Sequence, residues 1–320
     1  MILTLFLSLV LFVVPQVVLA PYDPVGQILF RENSKVQEVN WQREGDIITP
    51  GLPKALPKGP RKIENNRSLG IETTARAAVV IDKETGVALF KKNIEEKLPI
   101  ASLTKLMTAL VFLDSEPDWD KEIKLLKEDE EEGGIFYARA GEEVRVEDIF
   151  NMMLVGSVNN AAMALARSTE MSQEDFVKKM NEKAQALKLK DTFFADPVGL
   201  EPTNVSTSYD VAILLSRALE NDKIRETVVK KRYVFSPQNI KKTYYVKNTD
   251  ELLWGFLNEK PYQIIGGKTG YLDEAKYCLA IEVENGGHKI IVVVLGSNEI
   301  KDRFQEVKGL AAWTFENYNW

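Results

Sequence analysis

The hydrophobic and polar positions divide the chain into strand-rich ends and a helix-rich middle. Two apolar runs, residues 76–82 and 87–91, flank the turn Lys83-Glu-Thr-Gly86 and predict a β-hairpin. The last segment, residues 299–317, has the apolar period of a helix. Further strands are predicted in four segments, residues 233–245, 263–265, 277–283 and 290–295.

Between residues 101 and 231 the apolar spacing is mostly helical, as in residues 174–187 and 209–219. Strands at both ends therefore bracket a run of helices. This order predicts an α/β fold of the α+β type, with one antiparallel sheet built from both ends of the chain and flanked by helices. The helical middle is expected to form a second lobe, with a cleft between the lobes.

The first twenty residues, Met1 to Ala20, are uncharged and almost wholly apolar, which is typical of a secretory signal peptide. However, no Lys or Arg precedes the apolar core, and Pro21 would follow the cleavage site. A retained anchor, which would associate with the membrane through residues 1–20, is the alternative. Both readings predict an extracytoplasmic location.

Residues 21–70 carry six of the thirteen prolines and show little periodicity, so a linker or a loosely draped arm is expected there. The remaining residues, 71–320, contain all the predicted strands and helices. They are predicted to form one domain that carries the chemistry.

Charge and composition exclude several classes of function. The chain has 41 basic and 47 acidic residues, a net charge of −6 and no Lys/Arg-rich tract, which argues against a nucleic-acid partner. One cysteine and one histidine are too few for a Cys/His zinc site, and we expect no metal. Because His288 lies in the turn Asn285-Gly-Gly-His288, a serine nucleophile here would need a lysine or carboxylate as its base.

A single charge, Lys105, lies in the apolar segment 98–113, which from Ser102 onward is predicted to be a buried helix. Burial disfavours the ammonium form and lowers the lysine pKa. Ser102 lies three residues earlier and hence on the same helical face, so nucleophile and base could meet there. The alternative is a helix-capping serine with a lysine that extends to solvent.

Two further polar groups interrupt apolar segments. Ser157 and Asn159 lie within the uncharged stretch 149–166 and either cap helix ends or line a pocket. The sequence Gly267-Lys-Thr-Gly270 precedes a predicted strand, where glycines permit close backbone approach to an extended peptide. A glycine-rich turn with a surface lysine is the alternative for this segment.

In this order the three groups resemble the signature of penicillin-recognising serine enzymes: Ser102-x-x-Lys105, Ser157-x-Asn159 and Lys268-Thr269-Gly270. Residues 71–320 are similar to the low-molecular-weight penicillin-binding proteins that are D-alanyl-D-alanine carboxypeptidases. The resemblance implies a DD-peptidase/β-lactamase-like fold. One position departs from the family pattern, because Val158 replaces the usual glycine and puts the cleft width and substrate preference in doubt.

The resemblance also implies catalytic roles. Ser102 would be the acylated nucleophile and Lys105 its base, while Ser157 would relay the proton to the leaving amine. Lys268 would keep Lys105 uncharged. The backbone N–H groups of Ser102 and Tyr271 would bind the oxyanion.

Substrate-binding roles follow from the same resemblance. Asn159 would hold the amide chain of the substrate, while Lys268 and Thr269, next to Gly270, would receive its terminal carboxylate. Arg303 lies where related enzymes carry an arginine for that carboxylate. A surface arginine on the closing helix is the alternative.

The implied reaction removes the last D-alanine of a peptidoglycan pentapeptide without metal or organic cofactor, and β-lactams would be covalent inhibitors. A DD-endopeptidase that cuts cross-links would use the same site. A β-lactamase would need a carboxylate for deacylation, which Glu201 offers only superficially. The alternative from a different class of function is a non-catalytic module that binds peptidoglycan or β-lactam.

Overall fold

The computed structural model describes residues 59–64, 67–130 and 137–320. The predicted signal peptide or anchor and most of the predicted linker lie outside these ranges. Within them, no helix combines the length and apolar character needed to cross a membrane.

Thirteen strands are found in the described residues, and most of them are short. In chain order they are β1 (Arg61–Lys62), β2 (Ala77–Asp82), β3 (Ala88–Lys92), β4 (Leu98–Pro99), β5 (Glu122–Lys124), β6 (Glu143–Arg145), β7 (Val205–Ser206), β8 (Arg232–Phe235), β9 (Tyr244–Lys247), β10 (Tyr262–Leu272), β11 (Lys276–Asn285), β12 (His288–Ser297) and β13 (Tyr318–Asn319).

The central sheet has five antiparallel strands in the order β10-β11-β12-β2-β3. The predicted hairpin is present as β2 and β3. Strand β12, from the far end of the chain, pairs with every residue of β2. Strand β1 pairs with β13, so residues 61–62 also belong to the fold. The expected antiparallel sheet from both chain ends is confirmed.

Seven α-helices complete the described fold. They are α1 (Lys105–Leu113), α2 (Val146–Val155), α3 (Asn159–Ser168), α4 (Gln173–Ala186), α5 (Ser208–Ala218), α6 (Asp222–Val228) and α7 (Ile300–Asn317). Short 3₁₀ segments occupy Ala101–Thr104, Lys127–Asp129, Glu251–Trp254 and Phe256–Asn258.

The sheet separates two hydrophobic cores. Along β2, Ala77, Val79 and Ile81 pack into the core shared with the helical lobe. Ala78 and Val80 point to the other face, where they join the core beneath α7. Because both faces are covered, the central strands are apolar at almost every position rather than alternating.

Two predicted strand segments differ from the structure. The predicted strand 263–265 is part of the eleven-residue β10, which runs through the glycine-rich segment and carries a bulge between Ile264 and Gly266. The predicted strand 233–245 is a separate hairpin of β8 and β9, outside the central sheet. Most of β10 was not predicted because glycine does not favour strands. The apolar pattern of residues 233–245 predicts strand structure but does not indicate which sheet a strand joins.

Candidate active site

Ser102 lies in the 3₁₀ segment Ala101–Thr104 that leads into α1. A 3₁₀ turn has three residues, so side chains at i and i+3 stand directly above one another. This geometry places Lys105 Nζ 2.9 Å from Ser102 Oγ. The predicted meeting of these two side chains is therefore present in the structure, with a 3₁₀ turn where a longer helix was expected.

Lys105 is completely buried and does not extend to solvent, which contradicts the alternative reading of this lysine. Its Nζ also donates to Asn159 Oδ1 at 2.9 Å and to the carbonyl oxygen of Val198 at 2.8 Å. A neutral amine has two N–H donors and one lone pair. Because both of these partners can only accept, the lone pair of the neutral amine faces the Ser102 hydroxyl.

Burial lowers the pKa of Lys105 to about 7, against the opposing attraction of Asp196. Burial also lowers the pKa of Lys268 well below its ordinary value, and the charge of Lys105 lowers it further. The main cause is thus loss of hydration at both amines. Proximity of the two amines adds to the shift of Lys268.

The segment Gly156-Ser-Val-Asn159 joins α2 to α3. Ser157 has a positive φ of 57°, which turns its side chain toward the cleft, and Asn159 opens α3 with its amide oxygen on Lys105. Val158, in the place of the usual glycine, is buried in the core of the helical lobe and is absent from the lining of the cleft.

The Lys-Thr-Gly segment lies on β10, at the edge of the central sheet and against the 3₁₀ turn of Ser102. Lys268 Nζ donates to Ser157 Oγ at 2.7 Å and to the carbonyl of Thr269 at 3.0 Å. Thr269 Oγ1 lies 2.6 Å from Thr249 Oγ1. The edge strand therefore connects directly to the helical lobe, and the surface-turn reading of this segment is wrong.

Gly270 lies where the edge strand passes closest to the nucleophile. A Cβ at this position would come within 2.8 Å of the Ile100 carbonyl oxygen and 3.3 Å of the Ser102 nitrogen. Only glycine allows this approach without a shift of the turn. The next residue, Tyr271, continues the lining of the cleft beside Ser102.

Arg303 is buried rather than on the surface, which contradicts the alternative for this residue. It projects from α7, and its Nη1 donates to the Gly270 carbonyl at 3.0 Å. Its Nε is buried and has no hydrogen-bond partner among the described residues. Arg303 thus contributes to the lining of the cleft, and its guanidinium has N–H donors beyond the one that Gly270 accepts.

These elements enclose an open cleft of about 400 Å³ between the sheet edge and the helical lobe. The side chains that line it are mostly polar or small. They are Ser102, Gly156, Ser157, Asn159, Leu200, Thr249, Thr269, Gly270, Tyr271, Leu272, Asp273 and Arg303. Nothing among the described residues groups three or more side chains of the kind that bind a metal ion.

Sequence reasoning missed two residues at this site. Thr249 bonds Thr269, and the buried Asp250 follows it, with a carboxylate oxygen 3.2 Å from where a Cβ on Gly267 would lie. Burial raises the pKa of Asp250 to about 6, while Arg303 and Lys268 oppose that rise. Their segment is far from the three motifs along the chain and has no pattern of its own that could have revealed them.

A further missed residue, Asp196, holds the loop that carries the Val198 carbonyl. Its carboxylate accepts from the backbone N–H groups of Val198, Gly199 and Glu201 and from the side chain of Asn204. The Glu201 side chain is exposed and is not part of the cleft lining. The β-lactamase reading therefore gains no carboxylate at the nucleophile from this loop.

Solved structures similar to this fold include a DD-transpeptidase and a penicillin-binding protein. A Streptomyces DD-transpeptidase is 27% identical, covers 77% of this chain and 99% of its own, and superposes with a TM-score of 0.70. A Listeria monocytogenes penicillin-binding protein in its cefotaxime-bound form is 31% identical, with 77% and 98% coverage and a TM-score of 0.67. The fold and the site together define a serine hydrolase of this class.

Sequence comparison identifies the protein family within this class of serine hydrolases. The model of the family described as D-alanyl-D-alanine carboxypeptidase matches residues 63–299, and the chain belongs to that family. The Bacillus subtilis D-alanyl-D-alanine carboxypeptidase DacF is 33% identical over 270 residues, 82% of this chain and 67% of the relative. A Pseudomonas aeruginosa D-alanyl-D-alanine endopeptidase is also 33% identical, over 76% of this chain and 77% of the relative.

Proposed function

We propose that the protein removes the terminal D-alanine of peptidoglycan stem peptides through an acyl-enzyme on Ser102. The observation that carries this proposal is the 2.9 Å contact between Ser102 Oγ and the buried Lys105 Nζ at an open cleft. A lysine with a pKa near 7 can accept the serine proton at neutral pH.

In the first step the Ser102 oxygen attacks the carbonyl carbon of the penultimate residue while its proton passes to Lys105. We infer that the backbone N–H groups of Ser102 and Tyr271 bind the resulting oxyanion, because Gly270 lies against the Ser102 nitrogen and Tyr271 follows it in the cleft lining. Collapse of the tetrahedral intermediate breaks the peptide bond and expels the amine of D-alanine.

That leaving amine must gain a proton as the bond breaks. Ser157 is placed to supply it, because its Oγ accepts a hydrogen bond from Lys268 Nζ and its hydroxyl proton is free to point into the cleft. Lys105 then returns the proton that it took from Ser102 to Ser157, which restores the Ser157 hydroxyl and the neutral amine. In the second step, water attacks the ester on Ser102 and releases the shortened peptide, with Lys105 again as the base.

The terminal carboxylate of the substrate requires a cationic, hydrogen-bonding pocket. Thr269 and Arg303 face the cleft, and Lys268 lies immediately behind them. Arg303 lines the cleft, and its Nη groups offer charged donors to such a carboxylate. Asn159 lines the cleft and is fixed there by its contact with Lys105, at the place where the amide backbone of the substrate would pass.

Peptidoglycan lies outside the cytoplasm, so this function requires export. We propose that residues 1–20 direct the chain there, either as a cleaved signal peptide or as a retained anchor, and that residues 21–70 are the linker. Residues 71–320 would then be the catalytic domain. The described residues 61–62 lie on that domain as β1.

A second candidate is hydrolysis of cross-links. The Pseudomonas aeruginosa relative is named an endopeptidase and matches this chain over a larger share of its own length than DacF does. Both activities break a bond that follows a D-alanine carbonyl, so the same catalytic groups serve either one. The difference lies in how much substrate the cleft admits beyond the broken bond.

A fluorescent penicillin tests the shared chemistry. We expect covalent labelling of the purified protein and its complete loss in Ser102→Ala, with Ser115→Ala, a serine outside the cleft, labelled normally. Absence of any adduct with the unmutated protein would favour a non-catalytic binding module. Incubation with pentapeptide and with cross-linked dimer then separates the two activities, since only an endopeptidase releases monomers from the dimer.

A further inference from the structure

The hairpin of β8 and β9 concentrates positive charge in a protein that is acidic as a whole. Residues 227–249 contain no Asp or Glu, although the chain has a net charge of −6. Their six cations come in three separated groups along the sequence: Lys230, Lys231, Arg232, Lys241, Lys242 and Lys247. The pairing of the two strands places Lys247 opposite Arg232, while Lys241 and Lys242 lie at the turn end of the hairpin.

Five of these cations are exposed, and none of the five is paired with a carboxylate in the part of the chain that the structure describes. Lys230 differs, because its Nζ donates to Asn151. Arg232 and Lys247 occupy directly opposed positions on the two strands. Like charges in such a pair destabilise a sheet, so their presence needs a reason other than the stability of the hairpin.

The same outward face also exposes apolar side chains. Val234 and Tyr245 form the next cross-strand pair, with 51% and 69% of their surface exposed. Ile240 is exposed in the connecting loop, and the exposed Trp254 lies under Lys247, whose Nζ is 5.4 Å from the ring centre. The opposite face of the hairpin is buried in the core of the helical lobe and holds Phe235, Tyr244 and Val246.

We propose that the outward face of this hairpin docks the protein on an anionic lipid surface. The cations by themselves would suit any polyanion. The exposed aliphatic side chains Val234 and Ile240 favour lipid, because a bilayer offers an apolar layer directly beneath its charged headgroups. Aromatic side chains such as Tyr245 and Trp254 are typical of that boundary.

The docking face lies beside the candidate active site. Val246 on the buried side of the hairpin packs against Gly156, where an added Cβ would come within 2.6 Å of the valine side chain. Thr249, two residues beyond Lys247, lines the cleft. Docking through the hairpin would therefore hold the cleft close to the lipid surface, independently of how residues 1–20 are processed.

Vesicle binding of the full chain tests this proposal. We expect tighter binding to vesicles of phosphatidylcholine with phosphatidylglycerol than to phosphatidylcholine alone, by at least about tenfold, since Lys and Arg side chains are attracted to an anionic lipid surface. The ratio of the two affinities is the readout. A contribution from an uncleaved apolar segment acts on both vesicle types and cancels in that ratio.

Two double variants with the same change in net charge distinguish binding through the hairpin from a general effect of protein charge. Arg232→Glu with Lys247→Glu, on the outward face, should remove most of the preference for anionic vesicles, whereas Lys178→Glu with Lys190→Glu, at exposed positions elsewhere, should retain it. Penicillin labelling checks that each variant is folded. Equal affinities for the two vesicle types, or equal losses in the two double variants, would overturn the proposal.

A third variant separates lipid from other polyanions. Val234→Thr with Tyr245→Thr keeps strand-forming residues while removing apolar surface, and it should weaken binding to anionic vesicles several-fold. Soluble polyphosphate is the competitor. If polyphosphate displaces the protein completely and the threonine variant binds vesicles as tightly as the unmutated chain, the partner is a polyanion and the lipid assignment is wrong.

Discussion

Lys105 on α1 donates to the amide oxygen of Asn159, the first residue of α3, over 2.9 Å. This contact fixes one N–H of the amine, and the Val198 carbonyl fixes the second. The remaining position of the nitrogen faces Ser102. Two motifs separated by more than fifty residues thus set the direction of proton transfer at the nucleophile.

The rate of acylation should depend on the protonation state of Lys105. Because burial lowers the pKa of Lys105 to about 7, the fraction of neutral amine rises about tenfold between roughly pH 6 and pH 8. The second-order rate of penicillin acylation should follow that rise and level off above it. Stopped-flow labelling over this range provides the measurement, and a rate independent of pH would exclude Lys105 as the base.

The same shift makes folding stability depend on pH. The unfolded chain keeps the proton up to the ordinary lysine pKa of 10.5, whereas folded Lys105 loses it near 7, so the stabilising change appears as pH rises between these values. Between roughly pH 7.5 and pH 9.5 the free energy of unfolding of the unmutated chain should rise by about 2 kcal/mol relative to that of Lys105→Met. Urea unfolding of both proteins at the two pH values measures this difference, and parallel curves would contradict it.

Arg303 should act on the substrate carboxylate. Replacement by Met removes a charged donor, so kcat/KM for a peptide with a free carboxyl end should fall about 10- to 100-fold. The peptide with a carboxamide end should be cleaved poorly by both proteins and at similar rates. Arg217→Met is the matched control, at a partly buried arginine on α5 that pairs with Glu220, and it should leave both rates unchanged.

Gly199 should be intolerant of any side chain. A Cβ there would lie 2.0 Å from the Ala101 carbonyl oxygen, so Gly199→Ala must displace either its own loop or the turn of Ser102. Gly141 has a similar positive φ, 93° against 89°, and no atom of the described residues lies within 4 Å of the added Cβ. Gly141→Ala therefore measures the backbone strain alone.

We expect a loss of about 1 kcal/mol for Gly141→Ala and at least about 3 kcal/mol for Gly199→Ala. Chemical denaturation gives both values. Penicillin labelling should slow only in Gly199→Ala, because only that change shifts the nucleophile. Equal effects of the two substitutions would mean that the contact with Ala101 is not a constraint.

Much of the fold could be predicted because apolar patterns mark its elements directly. The hairpin of β2 and β3, the strands β11 and β12 and the closing helix all lie within a few residues of their predicted bounds. The fold class that followed from their order is confirmed. β10 was predicted at only three of its eleven residues, because glycine carries no strand signal.

The residues of the candidate active site could be predicted only in part. Its three motifs could be found because a polar residue in an apolar segment needs a partner, and the structure brings their side chains into contact. Thr249 and Asp250 could not be found, because their placement depends on the path of the chain after β9. The burial of Arg303 likewise depends on how α7 packs on the sheet, which the helical period alone does not determine.

The pairing of β2 with β12 has a consequence for biosynthesis. Synthesis starts at the N-terminus, so more than two hundred residues are added after β2 before β12, its second neighbour in the sheet, is translated. Arg303 arrives later still, on the helix after β12. A chain that ends before β12 carries the Ser102 motif but lacks the strand that joins β2 to β11, so we expect such a product to be inactive.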